Sequence, residues 1–104
     1  MREFVEVQVT CGSEEEAEGI ARALLAGRLA ACLHLTPIRS LYEWKGSVCD
    51  DREVVVVART RPELIDAVVD LVHEQHSYEL PAVTAASLTG SDAYVAWIED
   101  CTTS

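Results

Sequence analysis

His76 stands where a helical pattern ends, with Tyr78 and Glu79 in the loop that follows. The negative end of a helix dipole favours a protonated imidazole, and a neutral ring offers a lone pair to a metal. Cys11 closes a strand directly ahead of a helix start, a setting that lowers a thiol pKa and suits a soft metal. His76, alone or with Glu79, and Cys11 are therefore the candidate metal ligands. They would serve copper or another divalent ion that the fold does not require. An aromatic set, Tyr42, Trp44, Tyr78, Tyr94 and Trp97, is the third resource. With Glu53 and Arg59 it has the make-up of an apolar pocket carrying a few placed charges. Trp44, Glu53, Arg59, His76 and Tyr78 form the candidate ligand-binding set. The same aromatics also suit core and interface anchors. Cys32 and His34 lie two apart on one strand and share a face, but no third donor is near in sequence and packing is the simpler role. No Ser-His-acid constellation, P-loop or G-x-G-x-x-G is present, so no residue is assigned to catalysis and the chain reads as a binding protein, not an enzyme.

These residues hang on a predicted long hairpin, Leu29 to Arg59. Its first arm, Leu29 to Lys45, alternates imperfectly, and Pro37, which donates no ladder hydrogen bond, predicts a bend or bulge on an edge strand. Lys45-Gly46-Ser47 supplies the turn. The second arm is Glu53 to Arg59, and Asp50-Asp51 are expected in a solvated loop before it. The valine run 54–57 shows no polar alternation, which predicts a strand covered on both faces. Ahead of the hairpin, Val5, Val7, Val9 and Cys11 alternate with polar residues as a one-sided strand. Ser13-Glu14-Glu15-Glu16 is a capping box opening a helix that Gly27 ends. After the hairpin, Pro62 belongs in the first turn of a second helix, closed by His73-Glu74-Gln75-His76. A short strand from Ala82 to Leu88 and a turn or two of helix from Ala93 to Asp100 complete the order. Strand, helix, strand, strand, helix, strand is the ferredoxin-like βαββαβ sandwich, an α+β fold with a long central hairpin and a short C-terminal helix. Both main helices would cover one sheet face. The outward valines then await either the C-terminal helix or another subunit.

With 104 residues, 49% hydrophobic and 25% charged, the chain is one folded domain spanning 1–104 and not a disordered one. Its formal net charge is -10, which repels phosphate backbones and anionic lipid. A cation, a divalent one included, or a basic partner is the natural one; nucleic acid and membrane are not expected. No apolar run reaches a membrane span, and Met1-Arg2-Glu3-Phe4 enters a strand pattern directly, without a signal peptide. The cytoplasm is the expected address. Cys11, Cys32, Cys49 and Cys101 contain no C-x-x-C pair and read as free thiols in a reducing compartment.

Jointly these segments resemble the CutA divalent-cation tolerance proteins. Ala21 to Cys32 resembles the family's "IA-x-x-L…LAAC", and Ser40-Leu41-Tyr42-Glu43-Trp44-Lys45-Gly46 its "S-x-Y-x-W-x-G". Glu53 to Thr60 resembles "E-V…K-T", His76 to Pro81 "H-P-Y-x-x-P", and Tyr94 to Ile98 "Y-x-x-W-I". The resemblance implies a cytoplasmic homotrimer of ferredoxin-like protomers, similar in architecture to the PII signalling proteins and linked to tolerance of copper and other divalent metals, and it brings no well-founded catalytic activity to carry over. Ser77 replaces the family's proline, Arg59 its lysine, Gln75 a histidine that some members have, and Val9 their strand cysteine. The leading reading is thus a metal-responsive binding or regulatory trimer in which the Tyr42 to Val57 part of the hairpin pairs with a neighbour. The alternative is a PII-like sensor of a small anionic metabolite, held by Arg59 and His76 between subunits.

Overall fold

The valine alternation from Val5 to Cys11 forms strand β1 (Arg2–Cys11), with Val5, Val7, Val9 and Cys11 buried on one side. The computed structural model describes residues 1–103. Helix α1 (Glu14–Ala26) starts at Ser13, whose hydroxyl accepts from the Glu16 amide at 3.1 Å, and three glutamates occupy its positive end. Glu16 does not close a capping box on Ser13. Its carboxylate reaches one residue further back, to the Gly12 amide, and across to the Ser77 amide. At the other end Gly27 keeps a right-handed φ, and Arg28 takes the left-handed position at φ 55. That residue is held by its guanidinium, which donates to the carbonyls of Asp100 and Thr103.

The hairpin consists of β2 (Cys32–Trp44) and β3 (Ser47–Thr60), paired without interruption from Cys32–Arg59 to Trp44–Ser47. Lys45 and Gly46 both have positive φ, so the connection is a two-residue turn of the primed type, whose twist matches its strands. Pro37 lies on the sheet edge, as expected, but within the β2 ladder, whose register runs through it without a bulge. The expected loop at Asp50-Asp51 is strand instead. Asp50 faces Leu41 and Asp51 faces Ser40, while Arg39 donates to Asp50 at 2.6 Å and Tyr42 to Asp51 at 2.6 Å. Ladder pairing with β2 overrides the turn preference of two adjacent aspartates.

Arg61-Pro62 leads through a 3-10 turn (Pro62–Leu64) into α2 (Ile65–Gln75); β4 (Val83–Gly90) and α3 (Asp92–Cys101) follow. Ser91 caps α3, which is longer than the turn or two expected. The sheet is antiparallel with order β2-β3-β1-β4. One face carries α1 and α2, whose Ala17, Ile20, Leu24, Val68 and Val72 pack on Val7, Val9, Val54, Val56 and Ala58. The fold is the ferredoxin-like sandwich.

On the opposite face α3 covers one end only, where Phe4 packs with Val95 and Ile98. Alternation therefore resolves the valine run: Val54 and Val56 are buried under the helices, while Val55 and Val57 are half-buried on the open face beside Thr10 and Gln8. The C-terminal helix does not supply their cover.

Thr60 ends β3 fully buried, and its hydroxyl has no hydrogen-bond partner among the described residues. A buried hydroxyl without a partner keeps its full desolvation penalty, so Thr60→Val is expected to raise the unfolding free energy by about 1 kcal/mol. Urea denaturation measures this; a loss of stability would show that the hydroxyl is bonded to buried water.

Candidate functional site

Two neighbouring features are built where β1 ends. The first is a cluster of donor atoms. Cys11 is the last residue of β1, Glu16 lies in the first turn of α1, and His76 is the residue that terminates α2. One ligand atom from each lies within 4.8 Å of the others. Cys11 and His76 are thus brought together, and Glu16 joins them. Glu79, the expected companion of His76, instead pairs with Lys45 at 3.4 Å.

His76 is not an exposed cap. Its side chain is fully buried, its Nε2 donates to the Thr10 carbonyl at 2.7 Å, and its Nδ1 accepts from the Tyr78 amide at 3.1 Å. These two partners define the neutral tautomer with the proton on Nε2. The Thr10 amide in turn donates to the Ala82 carbonyl, so both backbone groups of Thr10 hold the α2–β4 loop on β1. Glu16 is next to the ring, 3.8 Å from Nδ1. Burial opposes ionisation of Glu16, yet hydrogen bonds from the Ser77 hydroxyl and the Gly12 and Ser77 amides outweigh it and hold the carboxyl below its ordinary range.

Cys11 reverses the expectation of an activated thiol. Burial, followed by the charges of Glu16 and Glu53, pushes its pKa up to about 11 from 9.0. The core around Sγ, with the Glu16 and Glu53 carboxylates beside it, outweighs the dipole. A pKa raised on folding means that the unfolded chain releases the thiol proton first. The associated stability is complete below pH 9.0 and is lost as pH climbs towards about 11. The stability advantage of wild type over Cys11→Ala is therefore expected to shrink by about 2 kcal/mol across that window. Parallel pH profiles for the two proteins would show that the thiol ionises normally.

The second feature is a cavity of about 630 Å³ on the open sheet face, between the far half of the hairpin and the loop after α2. Ser40, Tyr42 and Trp44 of β2, Glu53 of β3, Thr10 of β1, and Tyr78 and Glu79 of the loop line it. Tyr78 crosses from one feature to the other. Its ring lies 4.8 Å from the His76 ring, and its hydroxyl donates to Glu53 at 2.7 Å. Gly12 permits this path, since a Cβ there would stand 2.9 Å from the Tyr78 hydroxyl oxygen. Burial and the Glu53 carboxylate raise the Tyr78 pKa, so the phenol stays protonated as donor.

Of the expected ligand set, Trp44, Glu53 and Tyr78 share this cavity, and His76 lies behind Tyr78. Arg59 does not join them. It donates to Glu6 at 3.0 Å and to the Tyr94 hydroxyl at 2.9 Å, over the Phe4 ring, at the end of the sheet that α3 covers. Glu6 and Thr10 are four residues apart on β1, so roughly 13 Å separates Arg59's partner from that of His76. The anion-holding pair Arg59 and His76 is not assembled within the chain. Tyr94 and Trp97 stack on each other at 5.8 Å, also away from the cavity. Cys32 Sγ and His34 Nε2 meet at 3.4 Å, with no third donor among the described residues.

Glu16, absent from the expected ligands, had one legible signal: a helix-start carboxylate five residues beyond Cys11. Its own capping role masked it.

The family model described as CutA1 divalent ion tolerance protein matches residues 5–101. Human Protein CutA is 42% identical over 98 residues, covering 92% of this chain and 55% of that protein. The chain spans about half the length of the mammalian and plant relatives it matches, at 54–55% of each. The Divalent-cation tolerance protein CutA of Archaeoglobus fulgidus is 36% identical over 95 residues, covering 90% of this chain and 93% of that protein. Among solved structures, the Periplasmic divalent cation tolerance protein CutA from Archaeoglobus fulgidus superposes with a TM-score of 0.93 at 33% identity, covering 98% of this chain and all of that one. The CutA1 structure from Oryza sativa gives 0.90 at 33% identity, covering 97% and 94%.

Proposed function

The chain belongs to the CutA1 divalent ion tolerance protein family, and from that premise we propose that it serves cation tolerance by binding a divalent metal, copper foremost, as a regulatory rather than catalytic protein. The observation that carries the reading is the convergence of Cys11, Glu16 and His76. Nitrogen, oxygen and sulfur donors together suit copper or zinc better than magnesium or calcium. The imidazole also meets the requirement of a metal-ligating histidine: its Nε2–H is donated to a backbone carbonyl, which fixes the ring and leaves Nδ1 facing Glu16. Only the Tyr78 amide has to turn away from Nδ1. The Cys11 thiol would release its proton to solvent as the metal takes the thiolate, so binding weakens as pH falls.

Titration calorimetry with Cu²⁺, run anaerobically so that thiol oxidation is not read as binding, tests this, with Zn²⁺ as a redox-inert companion. Glu16→Gln and Cys11→Ser are each expected to lower affinity by about tenfold or more. Unchanged affinity in both variants would remove the cluster from the function.

Assembly and compartment belong to the same reading. The exposed apolar tip of the hairpin and the open-face valines support a homotrimer in which the hairpin pairs with a neighbour. The four cysteines are free, as suits the reducing cytoplasm, although the Archaeoglobus relative is described as periplasmic and the Arabidopsis one as chloroplastic. No helix of the described residues is long and apolar enough to cross a membrane.

A further inference from the structure

The lone pair that a metal would take from His76 is already in use. Nε2 carries the proton donated to Thr10, so Nδ1 holds the ring's single acceptor lone pair, and it takes the Tyr78 amide at 3.1 Å. Nδ1 cannot hold that amide and a metal ion at once. The neighbouring donor is engaged with the same stretch of loop: Glu16 accepts from the Ser77 amide at 3.0 Å. Two consecutive amides are thus held by two of the three groups that would ligate the ion. The residues that carry on from them reach the hairpin. The Tyr78 hydroxyl donates to Glu53 of β3 at 2.7 Å, and Glu79 pairs at 3.4 Å with Lys45 of the hairpin turn. Amide and phenol of Tyr78 hang on one Cα in a close fit, with its ring 4.8 Å from the His76 ring and its hydroxyl passing where a Gly12 side chain would stand.

We propose that Tyr78 is a relay: a divalent ion taken by Cys11, Glu16 and His76 displaces the Tyr78 amide, and the loop then gives up its bonds to Glu53 and Lys45. This rests on the metal site proposed above and adds how its loading is passed on. The signal arrives at the far half of the hairpin, the part that supports the subunit contact, where a neighbouring copy can respond to it. The distance covered is considerable. Cys11 pairs with Val54, and the seven strand steps from Val54 to Ser47, beside the turn, span roughly 23 Å. Linkage of this kind is reciprocal: if the ion must break the Tyr78–Glu53 bond, that bond opposes the ion, and deleting it tightens metal binding. A hydrogen bond to a carboxylate is strong enough to change the affinity roughly tenfold or more.

The test is anaerobic calorimetric titration of the full chain with Zn²⁺, comparing wild type with Tyr78→Phe and with Tyr94→Phe, a control whose phenol bonds to Arg59 instead. Tyr78→Phe keeps ring and amide and removes the bond to Glu53. It is expected to bind Zn²⁺ roughly tenfold more tightly at the site that Cys11→Ser weakens, with Tyr94→Phe unchanged. A tyrosine that merely braced the donor cluster would give the opposite sign. In wild type, saturation with Zn²⁺ is expected to shift the NMR signal of the Lys45 backbone amide along with that of Tyr78. Unchanged or lower affinity in a folded Tyr78→Phe would overturn the relay, as would an equal rise in Tyr94→Phe or a Lys45 signal that stays in place at saturation. Each of these results leaves the metal site standing. Absence of saturable Zn²⁺ binding to wild type would overturn the relay and the metal site together. Should Tyr78→Phe fail to fold, the Lys45 signal of wild type decides.

Discussion

His76→Ala is expected to lower the unfolding free energy by about 3 kcal/mol, because the truncation removes buried volume and two hydrogen bonds at once. The ring is fully buried and touches Tyr78, so alanine leaves a void. It also orphans the Thr10 carbonyl and the Tyr78 amide, the groups through which the ring ties the α2–β4 loop to β1. Release of Tyr78 would then loosen its bond to Glu53 and open the cavity wall. Urea unfolding followed by far-UV circular dichroism measures the first effect, and the fluorescence of Trp44 reports the second. A loss below about 1 kcal/mol would show that the loop is held without this ring. The same substitution is a poor probe of metal binding, since it disturbs fold and donor set together. Glu16→Gln and Cys11→Ser are the cleaner instruments.

Trp44→Ala is expected to dissociate the proposed homotrimer. Within one protomer the hairpin tip is poorly covered: Leu41 is 67% exposed and Val48 83%, and Trp44 and Tyr42 lie beside them in the β2 and β3 ladder. The molecule measures 45 Å along its longest axis against 24 and 20 Å, so the tip projects well beyond the helices. Both outer strands, β2 and β4, present an unpaired edge, which is the ordinary means by which sheets of separate chains join. An aromatic anchor at such a contact commonly contributes ~2 kcal/mol or more per site. Sedimentation velocity should give about 34 kDa for wild type, three times the 11.4 kDa chain, and a smaller, concentration-dependent mass for Trp44→Ala. A monomeric wild type at micromolar concentration would sink the trimer.

The sequence by itself determined the elements and their order. Each period switch is a local event: the alternation ending at Cys11, the serine cap at Ser13, the turn at Lys45-Gly46, the proline at Pro62 and the cap at Ser91 act over a few residues. Hence βαββαβ was legible, and Cys11, His76, Trp44, Glu53 and Tyr78 could be singled out by type. Pairing between distant segments decided the rest. Two aspartates became strand because β2 lay alongside them, and the valine run divided between faces because the pleat alternates. His76 became a buried neutral ring because the Thr10 carbonyl, 66 residues away, faced its Nε2. The Cys11 thiol rose in pKa because the core closed over it, although its place before a helix start had pointed the other way. Arg59 was separated from the cavity by register along β1, and Glu16 was brought to Cys11 and His76 by the packing of α1 and α2 on one face. Proximity of this kind depends on which strand edges and helix faces meet, and no local window of sequence contains His76 together with Thr10, Cys11 or Glu16.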